Sequence, residues 1–195
     1  MGERAWYPPG ATRLVGEQGR DGFWQGNYKA AVETACGEHP AMARDLRRRL
    51  EELGTAGGVT VIDDFAHHPT AVAKSLGGLR QRYPGRRVVA LFEPRSLTAG
   101  RAFFFDAYRE AFAGADAVLL APLFHRQRLT PEERLDTAAL ARRLAVAGVR
   151  AEACDSVGEV LERALGWAAD GDVMVTMSSG AFEGLPHRLL EALSS

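Results

Sequence analysis

Cysteine is nearly missing from this sequence, and the little present excludes two classes of protein. Cys36 and Cys154 are the only two in 195 residues. They are too few and too far apart for a disulfide framework or a zinc knuckle. An excess of one charge is missing as well: 24 Lys and Arg stand against 25 Asp and Glu, for a net charge of -1. That balance argues against nucleic acid and against an anionic membrane surface as partners. No apolar run reaches the length of a membrane span, and the opening MGERAWYPPG has no apolar segment of the kind a secretory leader carries. Three catalytic signatures are also absent: the phosphate-cradling GxxxxGK[ST] loop, a GxGxxG after a strand, and the GxSxG elbow of serine hydrolases. The chain is 46% hydrophobic and 25% charged, ordinary globular proportions. A chain this long can bury about 70% of its unfolded surface, so it needs no covalent or metal staple. A soluble, cytoplasmic protein is expected.

The pattern along the chain divides near residue 45. Residues 1–44 carry Pro8, Pro9, Trp6 and Trp24 with no clear period, and read as an irregular or helical extension. Residues 45–195 read as one domain. At its start, two readings compete. Residues 40–53 are rich in helix formers, but RRRLEEL-GTAGG-VTVID also reads as two strands around a Gly-rich turn, an antiparallel edge hairpin.

Further on, short, continuously apolar runs recur at Val59–Ile62, Val88–Phe92, Ala117–Ala121, Val149–Ala153 and Val173–Met177. Unbroken apolar runs suit strands covered on both faces, as in a parallel sheet. Helical stretches alternate with them: Thr70–Tyr83, Arg101–Phe112, Thr137–Ala147, Ser156–Ala169 and Leu185–Leu193. Asp136 and Ser156 stand where helix N-caps belong, and Gly85 and Gly148 where helices stop. The alternation predicts an α/β fold with right-handed crossovers: a Rossmann-like, three-layer domain with a mostly parallel sheet.

In such sheets, ligands bind beyond the carboxyl ends of the strands. The residues there are Asp63-Asp64-Phe65-Ala66-His67-His68-Pro69-Thr70, then Glu93-Pro94-Arg95-Ser96-Leu97-Thr98, then Pro122-Leu123-Phe124-His125, and finally Ser178-Ser179-Gly180-Ala181-Phe182. A parallel sheet brings these turns to one rim, with Asp64, His68, Arg95 and Ser178 around one crevice. Asp63, Asp64, His67 and His68 form a donor set suited to zinc or manganese. Adjacent residues in a tight turn seldom point the same way, so no metal site is assigned. Asp64 or Thr70 is also a candidate cap for the following helix, with Pro69 in its first turn. Arg95, beside a rigid proline, suits bidentate capture of a carboxylate. Ser178 and Gly180 offer a hydroxyl and a close backbone approach. The run Phe103-Phe104-Phe105 reads as core packing, although three consecutive positions cannot all share one helical face.

These residues resemble a known family. DDFAHHPTAV at Asp63–Val72 is similar to the signature that opens the C-terminal domain of Mur ligases. FEPRSLT at Phe92–Thr98 and GDVMVTMSSGAFEGLPHRLLEAL at Gly171–Leu193 resemble the murein-peptide-ligase branch of that family, and RRRLEELG resembles its interdomain linker. Mur ligases have three domains: one for a UDP-sugar, one for ATP, and a Rossmann-like one that presents the incoming amine. The resemblance implies that this chain is the third. The complete enzyme would then join UDP-N-acetylmuramate to L-alanyl-γ-D-glutamyl-meso-diaminopimelate, using ATP and Mg, in recycling of cell-wall peptidoglycan. By the same resemblance Arg49 would touch the nucleotide phosphates and Asp64 the ribose hydroxyls. His67, His68, Arg95, Thr98, Ser178, Gly180 and Phe182 would line the acceptor-peptide side. GNYKAAVETA at Gly26–Ala35 is a faint echo of a helix in the ATPase domain. The final motif reads SSGAF where the family usually has SNGGF, so Ser179 and Ala181 depart from the pattern. With no phosphate-cradling loop, the chain is expected to be inactive alone and to need separate ATPase and UDP-sugar domains. Its rivals are a stand-alone peptide-binding module and a metal-dependent hydrolase built on Asp63, Asp64, His67 and His68.

Overall fold

The computed structural model describes residues 49–194. The extension 1–44, its Trp6 and Trp24, and the Gly26–Ala35 motif lie outside the described residues.

Strand β1 (Glu51–Ala56) turns back into β2 (Val59–Asp64) as an antiparallel pair. Gly57 and Gly58 make the turn with φ of 55° and 75°, the left-handed conformation a two-residue hairpin needs at both positions. The hairpin reading of this segment is therefore the correct one, and residues 51–53 are strand rather than helix. The chain then alternates: α1 (Pro69–Arg82), β3 (Val88–Phe92), α2 (Phe105–Phe112), β4 (Ala117–Leu120), α3 (Thr137–Val146), β5 (Arg150–Ala153), α4 (Val157–Trp167), β6 (Val173–Met177) and α5 (Leu185–Leu193). The six strands form one sheet in the order β1-β2-β6-β3-β4-β5, and every pairing except β1–β2 is parallel.

The apolar runs explain the layering. All positions of β2, β3, β4 and β6 are buried, because helices cover both faces. Successive side chains of a strand alternate between faces. Val88, Ala90 and Phe92 accordingly join one apolar cluster with Leu76, Phe112 and Leu140 of α1, α2 and α3. Val89 and Leu91 join the other, with Val160 and Leu189 of α4 and α5. The result is the Rossmann-like, mostly parallel three-layer sheet expected from the sequence.

Two caps are as expected. The Asp136 carboxylate accepts the Ala139 N–H at 2.8 Å, and the Ser156 hydroxyl accepts the Glu159 N–H at 3.1 Å. The cap of α1 is a correction. Neither Asp64 nor Thr70 supplies it; His68 occupies the N-cap position without a side-chain bond, and Pro69 starts the helix. Proline in the first helical position has no N–H, so the uncapped helix start has one orphan donor fewer. The Phe103–Phe105 run is split rather than uniformly core. Phe104 and Phe105 pack on the first cluster, while Phe103 is 87% exposed.

The amino edge of the sheet is tied by two arginines. Arg86 donates to the carbonyls of Gly171 and Asp172 and to the Thr60 hydroxyl. Arg87 donates Nε to Asp172 Oδ1 at 2.9 Å and Nη2 to Oδ2 at 2.5 Å, and reaches the Trp167 carbonyl. These bonds fasten the starts of β2, β3 and β6 together and leave the opposite edge to carry the site.

Candidate functional site

The register of the sheet places the site. Met177, the last residue of β6, pairs with Asp64 of β2 on one side and Phe92 of β3 on the other. The next residues continue the ladder: Ser178 N–H donates to the Asp64 carbonyl at 3.1 Å, and Glu93 N–H donates to the Met177 carbonyl at 3.0 Å. Asp64, Ser178 and Glu93 thus stand side by side on the carboxyl rim, although far apart in sequence.

From that row, a polar chain runs outward. The Ser178 hydroxyl donates to Glu93 Oε2 at 2.5 Å and accepts the Gly180 N–H at 3.0 Å. Glu93, 2% exposed, faces Arg95 Nη1 with its other oxygen at 3.4 Å. The Arg95 guanidinium lies 3.8 Å above the centre of the Phe124 ring. Its other flank is Gly180, where an added Cβ would fall 2.0 Å from Arg95 Nε. An aromatic face, a bare backbone and a buried carboxylate thereby fix one arginine in place. Its side chain keeps 28% exposure, enough to meet a ligand.

Asp64 forms the other half of the rim. It is fully buried; Oδ1 accepts the Ala66 N–H at 3.1 Å, and Arg49 Nη1 lies 4.0 Å away. Among the described residues Oδ2 is buried with no hydrogen-bond partner, an uncompensated acceptor of the kind that native folds rarely keep. Burial raises the Asp64 carboxyl above its ordinary pKa, against the pull of the Ser75 hydroxyl, the Ala66 N–H and Arg49. Arg49 is 41% exposed and also lies 6.0 Å from the Phe65 ring centre.

His67 is half-buried, with Nδ1 2.9 Å from the Phe65 carbonyl, while its own carbonyl accepts the Tyr108 hydroxyl at 2.6 Å. Burial pushes the Tyr108 phenol up, so it stays a neutral donor. His68 is exposed on the same edge, its ring 4.9 Å from that of Phe104. Thr98 is exposed in the turn after β3, its carbonyl accepting the Arg101 N–H. Phe182 does not line the rim. It is fully buried in the cluster with Val61, Leu91 and Leu189. A phenyl ring beside apolar strands gains more from burial than from exposure. Its role is to anchor the turn that carries Ser178 and Gly180.

Glu93 was not singled out as a site residue by the sequence reading, yet it joins Ser178 to Arg95. Its signal was there: a carboxylate directly continuing a fully apolar strand is a buried charge, and buried charges are paired. The proposed metal quartet does not assemble. Asp63 and Asp64 are neighbours on one strand and face opposite sides, with Asp63 Oδ1 accepting the Thr176 hydroxyl. Among the described residues no three potential ligands converge.

Fold and rim together define a Rossmann-like domain whose polar groups gather at the carboxyl ends of β2, β6 and β3. The chain belongs to the Mur ligase family: residues 48–180 match the family's glutamate ligase domain. The matched residues form the C-terminal domain of that family. The chain is 33% identical over 168 residues to the UDP-N-acetylmuramate–L-alanine ligase of Paraburkholderia xenovorans, an alignment covering 83% of this chain and 36% of that protein. The same ligase of Paraburkholderia phytofirmans is 36% identical over 168 residues, covering 83% of this chain and 36% of that protein. Among solved structures it is similar to the murein peptide ligase of Psychrobacter arcticus, with a TM-score of 0.64 and 28% identity over 91% of this chain and 38% of that one. A domain of a UDP-N-acetylmuramate:L-alanyl-γ-D-glutamyl-meso-diaminopimelate ligase from Haemophilus ducreyi superposes with a TM-score of 0.59 and 29% identity, covering 74% of this chain and 99% of that domain. The chain spans about a third of the length of the curated relatives it matches. No helix among the described residues is long and apolar enough to cross a membrane.

Proposed function

We propose that this chain is the acceptor-binding domain of an ATP-dependent amide ligase that joins UDP-N-acetylmuramate to L-alanyl-γ-D-glutamyl-meso-diaminopimelate. The observation that carries the reading is the fixed Arg95. A guanidinium held by Phe124, Gly180 and Glu93, with its outer face open, is preorganised for a peptide carboxylate. The likeness to a solved domain named for that acceptor and to a solved murein peptide ligase supports it. In this chemistry ATP converts the muramate carboxylate into an acyl phosphate. The peptide amine attacks the acyl carbon and phosphate leaves. The work of this domain is to place the amine, through carboxylates held by Arg95 with His67, His68, Thr98 and Ser178 around them.

The nucleotide side fits in its donor set. Asp64 Oδ2 is an acceptor without a donor, matched to a ribose hydroxyl, and Arg49 is an exposed cation matched to phosphate. Asp64 is fully buried, so contact with a ribose requires the surrounding side chains to move aside. The phosphate cradle and the UDP-sugar site would be supplied by the other two domains.

A second reading takes L-alanine as the acceptor, and the curated relatives favour it. Titration of the chain with the tripeptide and with L-alanine separates the two. On the leading reading the tripeptide binds, L-alanine does not, and Arg95→Ala weakens the tripeptide by roughly tenfold or more, as expected for a lost hydrogen bond to a charged group. Saturable binding of L-alanine with none of the tripeptide would establish the second reading instead.

A further inference from the structure

The rim does not end at Arg95. Beyond it, over the carboxyl ends of β4 and β5, lies an open cavity of about 400 Å³. Its walls include Leu123, Arg126, Arg134, Asp136, Cys154 and Asp155. It is assembled like the first site, from turns that follow adjacent parallel strands. Leu120 of β4 pairs with Phe92 on one side and with Ala153 of β5 on the other.

The charges in this cavity are of both signs. Among the described residues the Arg126 side chain has no partner, whereas Arg134 spends only Nε, on the carbonyls of Arg126 and Leu129 at 3.0 and 3.1 Å. The terminal amines of both guanidiniums are left for a ligand. Asp136 uses one oxygen to cap α3, and Asp155 is exposed on the facing turn. Cys154 forms an inert wall, since burial raises its thiol to about 11 and keeps it protonated. Two arginines and two carboxylates lining one cavity match a group that carries an ammonium and a carboxylate together.

The turn after β4 links the cavity to the Arg95 site. Phe124, on which Arg95 lies, immediately follows Leu123 of the cavity wall. The strand end that carries Arg95 is two strands from the one that carries Cys154, about 10 Å at the usual interstrand spacing. Three residues of extended peptide cover roughly the same distance.

We propose that this cavity is a distal acceptor subsite that binds the free amino-acid end of the diaminopimelate side chain, with Arg126 and Arg134 on the carboxylate and Asp136 and Asp155 on the ammonium. The assignment rests on the acceptor reading above. It makes the β4–β5 edge the place where a diaminopimelate peptide is told from a lysine peptide, whose side chain ends in an ammonium alone.

Amide chemical shifts of the ¹⁵N-labelled chain test it, with three probes: L-Ala-γ-D-Glu-meso-diaminopimelate, L-Ala-γ-D-Glu-L-Lys, and free meso-diaminopimelate. The diaminopimelate tripeptide is expected to bind roughly tenfold more tightly than the lysine tripeptide (about 1.4 kcal/mol) and to shift amides at 123–126, 134–138 and 154–155. Arg126→Gln, which breaks no bond in the fold, abolishes the preference and leaves the lysine peptide unchanged. Arg95→Ala weakens both peptides alike. If neither tripeptide binds but free meso-diaminopimelate shifts the cavity amides, the cavity stands and the Arg95 acceptor reading falls. A preference that survives Arg126→Gln overturns the proposal. So does a cavity untouched by all three probes.

Discussion

Gly180→Ala probes the Arg95 clamp with a single methyl group. The new Cβ would fall 2.0 Å from Arg95 Nε and 2.2 Å from Cδ, where ordinary contact begins near 3.4 Å. The guanidinium must retreat by roughly an ångström and a half, away from Phe124 and Glu93. Gly180 does not sit in the left-handed region, so its own backbone accepts alanine without strain. What folding loses is therefore small: a cation–π contact of about 0.5–1 kcal/mol and a partly exposed ion pair of about 0–1 kcal/mol. At about 2–4 °C per kcal/mol, the melting temperature should fall by only a few degrees. Ligand binding should lose more, about 1.5–3 kcal/mol for the misplaced charged hydrogen bond, or roughly ten- to a hundredfold in Kd. The assay pairs thermal melts with a tripeptide titration of the same protein. Unchanged binding would refute the clamp. A collapse of the fold would show instead that Gly180 serves the backbone.

Two further predictions separate stability from function. The folded-state pKa of Asp64 is raised by its burial, so its stabilising contribution is present below the unfolded value and is lost as pH rises through the folded one. Asp64→Asn, neutral throughout, should therefore gain stability relative to wild type as pH moves from the acid range to neutrality, while nucleotide affinity falls; urea melts showing a pH-independent difference would count against this. Asp172→Ala removes the carboxylate that Arg87 grips at 3% exposure. Arg87 keeps about a third of its side chain in solvent, so the loss is that of the charged hydrogen bonds and of the Ala169 N–H acceptor, about 1.5–3 kcal/mol; the variant should unfold at lower denaturant yet, where still folded, bind the tripeptide as wild type does.

Much of this was legible in the sequence, because the signals are local. Unbroken β-branched runs such as Val173–Met177 can only be strands covered twice, and Asp136 and Ser156 cap the helices they precede. The insertion of β6 between β2 and β3 is a long-range choice that no local pattern encodes, and it is what brings Ser178 between Asp64 and Glu93. Two of the misreadings have physical causes that concern the rim. Asp64 looked like a helix cap, but it is the last residue of a buried strand and its carboxylate turns back on Ala66. Phe182 looked like a pocket wall because it lies in a motif, but motif membership does not say which way a ring points. Glu93 was passed over because Arg95, two residues on, offered the more familiar chemistry.

The two edges of the sheet follow opposite electrostatic rules, and the second depends on the first. At the amino edge, Arg86 and Arg87 spend their donors on carbonyls, a hydroxyl and Asp172. Bonds to ionised groups are the stronger kind, so the starts of β2, β3 and β6 move together. At the carboxyl edge, by contrast, Asp64 Oδ2 has no donor among the described residues and Arg95 keeps an open face. Such unspent capacity costs folding energy, and it persists only where the surroundings hold the groups in place. The turn after β6 carries the same signature. Phe182 and Glu183 take φ of 47° and 50°, a strained conformation for side chains other than glycine. The buried Phe182 ring holds that strain, and in return the turn brings the Gly180 backbone against Arg95. Substituting Phe182 by a smaller residue would relax the turn before it emptied the core, and the loss would appear first at Arg95.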